Sequence, residues 1–304
     1  MLPEYFDIYF AIAGVKTNLL GLALVGLLTG IVSGMFGLGG GLITVPYLMV
    51  AGIPVQVALA TATNQMTSAT VSSFISYALK NRVDFKFGAL MLFGGIFGTM
   101  IGLYTFDVLK ELGVINTVIP SLFLVILLIV SYNSAKDAIN IWRKMNGKSH
   151  KKHHHLSLVL PLQTKFICCE DTLSFITPIM LGLMGGFMVA LLGLGGGFII
   201  VPTMIYLLNA RERFATGTTN FLIMFTSVIS TILHTFSAQN IDIILCMLLI
   251  FFTVFGTQLG AYFAHKISAD RFRILLAIVL LIISFKFAYS MLIAPENIYK
   301  VIKL

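Results

Sequence analysis

Apolar runs of about 20 residues, separated by short polar turns, fill this chain in an order that occurs twice. The first series predicts helices over 18–36, 55–79, 87–106 and 114–132, with a shorter apolar piece at 42–50. The second predicts them over 173–192, 214–236, 241–264 and 274–293, with its short piece at 198–208. A crossing helix needs about 20 residues, so the short pieces cannot span a bilayer alone. Each follows a glycine break, Gly37-Leu38-Gly39-Gly40-Gly41 in one series and Gly193-Leu194-Gly195-Gly196-Gly197 in the other. The simplest arrangement is a pair of helices meeting at the glycines, the second returning to the side of entry. Eight to ten helical segments result.

The two series keep register. Gly193 lies 156 positions after Gly37, and Pro202 the same distance after Pro46. Thr63-Asn64 falls on Thr219-Asn220 at that offset. Asp84 falls on Asp242, and Gly98-Thr99 with Gly102 on Gly256-Thr257 with Gly260, at an offset of 158. Ordered matches of this kind mark a duplication: a first transmembrane repeat over 1–135, a basic linker over 136–171 and a second repeat over 172–304. The expected fold is an all-α polytopic membrane protein with two repeats and broken, re-entrant helices. An odd number of crossings per half makes the repeats inverted relative to one another.

Composition sharpens this. The chain is 58% hydrophobic and 11% charged, against about 25% charged in a soluble domain. A soluble enzyme or binding module is excluded. The net charge of +8 would otherwise suggest nucleic acid. By the parity of the crossings, however, 15 of the 20 Lys and Arg fall on one side, in 80–86, the linker, 211–213 and 265–273. The positive-inside bias makes that side cytoplasmic and puts both termini outside a cytoplasmic (inner) membrane. The bilayer is the partner; no nucleic acid is expected and no oligomeric state is assigned. Met1 to Phe10 is acidic and does not read as a cleaved signal. Cys168, Cys169 and Cys246 show no CxxC spacing. His153-His154-His155 reads as part of a solvated basic loop rather than a metal site. Neither a cofactor, a metal nor a catalytic residue is expected.

Two features could carry chemistry. Helices opening at the glycine breaks would turn unpaired N–H groups and a positive dipole end toward the break, an anion site without a charged side chain. Close helix packing is the competing use of the same glycines. A phosphate-cradling loop would need Lys-Ser/Thr directly after them; Leu42-Ile43 and Phe198-Ile199 stand there. The second feature is a pair of hydroxyl-rich helices. Most of their Ser and Thr are expected to bond their own helix, whereas Asn64 and Asn220 place an amide deep in hydrocarbon in both copies. The candidate substrate-binding set is Gly39, Gly40, Gly41, Thr63, Asn64, Gln65, Gly195, Gly196, Gly197, Thr219 and Asn220. No carboxylate is embedded in an apolar run; Asp84 and Asp242 fall at turns. Amides, hydroxyls and helix ends suit a small anionic substrate better than a cation. A coupling proton or other ion has no strong candidate residue; His234, near the outer end of its helix, reads as an interfacial or satisfied histidine.

The chain resembles the sulfite exporter TauE/SafE family of membrane permeases. The resemblance rests on G-x-G-G-G-x-x-x-x-P in each half, Gly37 to Pro46 and Gly193 to Pro202. It also rests on Ala60-Thr61-Ala62-Thr63-Asn64, Ala215-Thr216-Gly217-Thr218-Thr219-Asn220 and the later G-T-x-x-G segments. What it implies is a secondary transporter that moves a small organosulfur compound or sulfur oxyanion, such as sulfite, sulfoacetate or a related sulfonate, through the cytoplasmic membrane by alternating access. An anion channel, or a permease for another small anion such as a carboxylate, would use the same site.

Overall fold

A computed structural model describes residues 7–10, 12–145, 163–169, 173–208, 210–238, 242–266 and 269–292. The run His153-His154-His155 and the side chain of His234 lie outside the described residues. Among the described residues ten helices follow the two predicted series. The first holds α1 (Leu19–Phe36), α2 (Gly41–Val50), α3 (Val55–Ala78), α4 (Phe85–Glu111) and α5 (Ile115–Met145). The second holds α6 (Ile176–Leu192), α7 (Gly197–Tyr206), α8 (Glu212–Ala238), α9 (Ile243–Lys266) and α10 (Ala269–Leu292). Five of them, α1, α4, α5, α8 and α9, are long and apolar enough to cross a membrane. The hydroxyls of α3 lower its hydropathy; α2 and α6 are too short.

The short pieces turn back as expected. The Asn18 side chain caps α1 by accepting the Leu20 N–H at 3.0 Å. The helix ends on Gly37, whose φ of 68° closes it in the left-handed conformation that glycine adopts without strain. Helix α2 then runs back beside α1. The Thr44 and Thr29 hydroxyls meet at 3.0 Å, and the Tyr47 hydroxyl reaches Gly21 near the start of α1. Helix α4 runs past 106 to Glu111 and α10 starts before 274 at Ala269, but the widest departure from an expected boundary is in α5. Helix α5 continues to Met145, well past 132, because Lys136 to Met145 contains no Gly or Pro and its residues are mostly good helix formers.

The halves interlock. Helix α1 packs on α9, α4 on α6, α3 on α8 and α5 on α10. The α1–α9 and α4–α6 pairs run parallel along small-residue seams. A Cβ on Gly30 or Gly34 would collide with the carbonyls of Thr253 and Thr257, and one on Gly256 or Gly260 with those of Leu27 and Ile31. In the other pair, Gly94 and Gly98 press on the carbonyls of Ile179 and Leu183, and Gly182 and Gly186 on those of Met91 and Gly95. Lipid tails supply no hydrophobic drive between helices, so close backbone approach of this kind drives their association. The G-T-x-x-G segments seen in the sequence are one wall of each seam. Helices α3 and α8 occupy equivalent places in the two series yet run antiparallel, since Thr67 meets Ser227 while Ser73 meets Asn220. Phe93, Phe97, Phe251, Phe255 and Phe285 stand exposed on the outer faces of α4, α9 and α10, where a bilayer would cover them.

Two short hairpins precede the broken helices: β1 (Asp7–Phe10) with β2 (Val15–Asn18), and β3 (Gln163–Thr164) with β4 (Leu173–Ser174). The apolar pattern did not announce them.

Candidate functional site

The glycine breaks meet at the centre of the fold. They lie antiparallel, Gly41 against the Gly193 carbonyl, Gly39 against Gly195, and Gly197 against the Gly37 carbonyl. A Cβ on Gly39 would come within 2.6 Å of the Gly195 Cα. The sulfur of Met66 lies over both glycines. The amino-terminal ends of α2 and α7 therefore each face the closing carbonyl of the other half's α6 or α1. The break holds carbonyls as well as the N–H groups expected there, and the four glycines also serve the close packing that competed with the anion-site reading.

The hydroxyl-rich helices flank this crossing. Gly37 packs on Thr216 and Asn220 of α8, and Gly193 on Leu59 and Thr63 of α3. Thr63 donates to its own helix at Leu59 O, 2.8 Å away. Thr219 reaches the Met204 sulfur on α7 at 3.8 Å. The two asparagines differ. Asn64 is half-buried, and its Nδ2 donates to Ala60 O of the same helix at 3.1 Å. Asn220 is fully buried, and its Nδ2 donates across the interface to Ser73 Oγ at 2.7 Å. Its Oδ1 has no hydrogen-bond partner among the described residues and lies beside Gly37. Because the Ser73 hydroxyl can donate as well as accept, either end of the Asn220 amide can be turned to the break. Gln65 is buried too, with Nε2 2.6 Å from Thr253 Oγ1 and Oε1 unpartnered. Ser33 Oγ and Thr61 Oγ1 are likewise buried without a partner among the described residues.

Each buried polar atom left unmatched costs about 1–3 kcal/mol. Asn220 Oδ1, Gln65 Oε1, Ser33 Oγ and Thr61 Oγ1 are four such atoms, on α1, α3 and α8, and Ser230 Oγ on α8 is another. Among the described residues the buried charged side chains are Asp84 and Asp242, and both are spoken for elsewhere. Asp84 caps α4 through Phe87 N at 3.1 Å, and its second oxygen accepts Cys168 N at 3.0 Å. Asp242 caps α9 through Leu245 N at 3.2 Å, and its second oxygen accepts Ile12 N at 3.2 Å. These carboxylates tie each hairpin to the opposite half. Their repeat at turns was visible in the sequence, but their caps and long-range bonds were not. The contacts of Ser73, Thr253 and Gln258 were not legible in the sequence either; Gln258 Nε2 donates to Ser72 Oγ at 2.7 Å. The signal available was their position on the helix faces that meet.

The profile of the sulfite exporter TauE/SafE family matches residues 22–287. Curated relatives include the probable membrane transporter protein YunE of Bacillus subtilis (strain 168), 26% identical over 277 residues, which cover 88% of this chain and 97% of that protein. The probable membrane transporter protein MJ0441 of Methanocaldococcus jannaschii is 24% identical over 279 residues, covering 85% and 91%. Sulfite exporter TauE/SafE family protein 3 of Arabidopsis thaliana is 44% identical over 69 residues, covering 23% and 14%. No solved structure matches. A family match across both glycine breaks and both hydroxyl-rich helices, together with full-length transporter relatives, leads to one assignment: the chain is a multi-pass membrane transporter belonging to the sulfite exporter TauE/SafE family.

Proposed function

We propose that this transporter moves a small sulfur oxyanion or sulfonate, such as sulfite or sulfoacetate, across the cytoplasmic membrane by alternating access. The observation that carries the reading is the crossing of two interrupted helix pairs beside unmatched amide and hydroxyl atoms, with both buried carboxylates engaged elsewhere. The free hydroxyls of Ser33 and Thr61, the Asn220 amide turned to its donating end, and the helix ends stabilise an anion without the desolvation cost of a fixed cation. The cargo binds between Gly39–Gly41 and Gly195–Gly197, with Asn220, Asn64, Thr63, Thr219 and Gln65 around it. Residues 1–135 and 172–304 act as inverted repeats, joined by a cytoplasmic linker over 136–171, with both termini outside. Rocking of one repeat against the other exposes the site to each side in turn.

Flux of sulfite and sulfoacetate in liposomes containing the purified protein tests this. Saturable flux that sulfonates compete for is the expected result. Conductance without saturation would identify a channel instead, and flux of carboxylates alone would identify another cargo. Undiminished flux in Asn64→Leu with Asn220→Leu would remove those two residues from the site.

A further inference from the structure

Gln65 is oriented by a chain of bonds that leaves one atom over. Its Nε2 lies 2.6 Å from Thr253 Oγ1. Thr253 in turn donates its hydroxyl proton to Gly26 O at 3.1 Å. A hydroxyl has one proton, and here it is committed. Turning the Gln65 amide over would require that proton to leave Gly26 O, at the loss of one bond in the chain. Gln65 therefore donates to Thr253, and its Oε1 points elsewhere. That oxygen is buried and has no partner among the described residues. Gln65 directly precedes Met66, whose sulfur lies over the Gly39–Gly195 crossing.

One turn earlier on the same face stands Thr61. Its neighbours Thr63, Thr67 and Thr70 each donate back to their own helix. Thr61 does not, and its buried hydroxyl is unmatched. Ser33 of α1, beside Gly40, has a third unmatched hydroxyl. The first half thus offers two hydroxyls able to donate and one amide oxygen able only to accept.

The second half's own unmatched atoms, Asn220 Oδ1 and Ser230 Oγ, fall at other positions among the described residues. The residues 156 positions after Ser33, Thr61 and Gln65 are Val189, Gly217 and Phe221, and Phe221 packs against Gly88 and Phe225. The repeats are alike in backbone and unlike in polarity.

A bare oxyanion would set its lone pairs against the fixed Gln65 carbonyl. We propose that Gln65 selects cargo carrying a hydrogen-bond donor in addition to its oxyanion: the oxyanion oxygens accept from the Thr61 and Ser33 hydroxyls, and an O–H or N–H of the cargo donates to Gln65 Oε1. This rests on the sulfur-oxyanion reading above and narrows it to hydroxylated, aminated or protonated members of that class. Thr253 is a positioning residue, holding the amide in the accepting orientation.

The test compares 2-hydroxyethanesulfonate with 1-propanesulfonate, near-isosteres that differ by a hydroxyl in place of a methyl, as competitors of flux in liposomes. Wild type should prefer the hydroxylated compound by about tenfold or more, since a site built to bond a hydroxyl rejects the analogue lacking it. Gln65→Leu should lose that preference, read as the ratio in which the two compounds compete with the flux that remains. Thr253→Val, which frees the amide to turn over, should narrow the preference with Gln65 intact, and it serves as the second variant if Gln65→Leu does not fold. Equal competition by the two compounds in wild type, or a preference that survives in both variants, overturns the proposal and leaves the anion-transport reading standing. If no sulfonate or sulfite moves or competes in wild type, the transport reading falls and this proposal with it.

Discussion

Asp84 accepts the backbone N–H of Cys168 at 3.0 Å, across 84 positions of chain. Its counterpart Asp242 accepts that of Ile12 at 3.2 Å, and Ile12 and Cys168 are themselves 156 positions apart. The two helix series match in this bond as well as in their order. In each half a carboxylate caps one long helix with one oxygen and clamps the entrance of the opposite half's broken helix with the other.

Replacing Asp84 by Ala removes a helix cap, worth about 0.5–2 kcal/mol, and leaves a buried N–H unmatched at about 1–3 kcal/mol. The expected loss is about 2–4 kcal/mol, seen as a lower melting temperature in detergent. Asp84→Asn keeps one accepting oxygen and should lose less. Asp242→Ala should behave alike, and the two losses should add because the sites share no partner. Melting temperatures equal to wild type would remove the clamp.

Gly41 tests the crossing by sterics alone, since its φ is not in the left-handed region. A methyl there would collide with the Gly193 carbonyl. Gly41→Ala should cost about 3 kcal/mol or more and abolish flux. Gly113 has φ of 71° with nothing within 4 Å of an added Cβ. Gly113→Ala should cost about 1 kcal/mol and leave flux unchanged. The pair separates backbone conformation from close approach; thermal stability and flux of both variants are the measurements.

Asn220 and Ser73 are bonded across the repeat interface, whereas Asn64 bonds only its own helix. A double-mutant cycle of Asn220→Ala with Ser73→Ala should give a coupling of about 0.5–3 kcal/mol. Asn64→Ala with Ser73→Ala should give none. On flux, Asn220→Leu should lose at least tenfold more than Asn64→Leu. Equal effects of the two asparagines would show that the second half holds the cargo no more tightly than the first.

Stability should fall in alkali through Cys168. Its thiol shares a hydrogen bond with Cys169, 3.3 Å away, and is buried beside Asp84; together these hold its pKa far above the ordinary thiol range. An unfolded thiol ionises near about 8.5. Above that pH the unfolded chain has released a proton that the folded chain keeps, so the folded state loses ground by up to about 1.4 kcal/mol per pH unit. Below it, both states are protonated and the contribution is flat. Cys168→Ser should lose less stability than wild type between pH 8 and 10, measured by thermal unfolding. Parallel declines would show that this thiol contributes nothing to the alkaline loss.

The number and order of the helices were legible in the apolar runs, because a bilayer demands about 20 apolar residues per crossing and penalises little else. The re-entrant turn at Gly37 was legible because four glycines in five residues cannot continue a helix cheaply. The hairpin of Asp7–Phe10 with Val15–Asn18 was not, since four-residue strands have no periodicity to detect. The extension of α5 was missed for a related reason: hydropathy marks where lipid ends, and a helix need not end there.

Residue identity alone determined that this chain lies in a membrane, that its apolar runs form two series in register, and that glycine interrupts a helix at matching places in each series. Those are local properties, set by transfer free energy and backbone freedom one segment at a time. Only the tertiary structure decided that α1 pairs with α9 and α4 with α6, that the two breaks cross at Gly39 and Gly195, and that Gln65 is left holding an unmatched oxygen. Those depend on which helix face meets which, and seams of small residues recur in both halves, so spacing along the chain does not say which half a seam will choose.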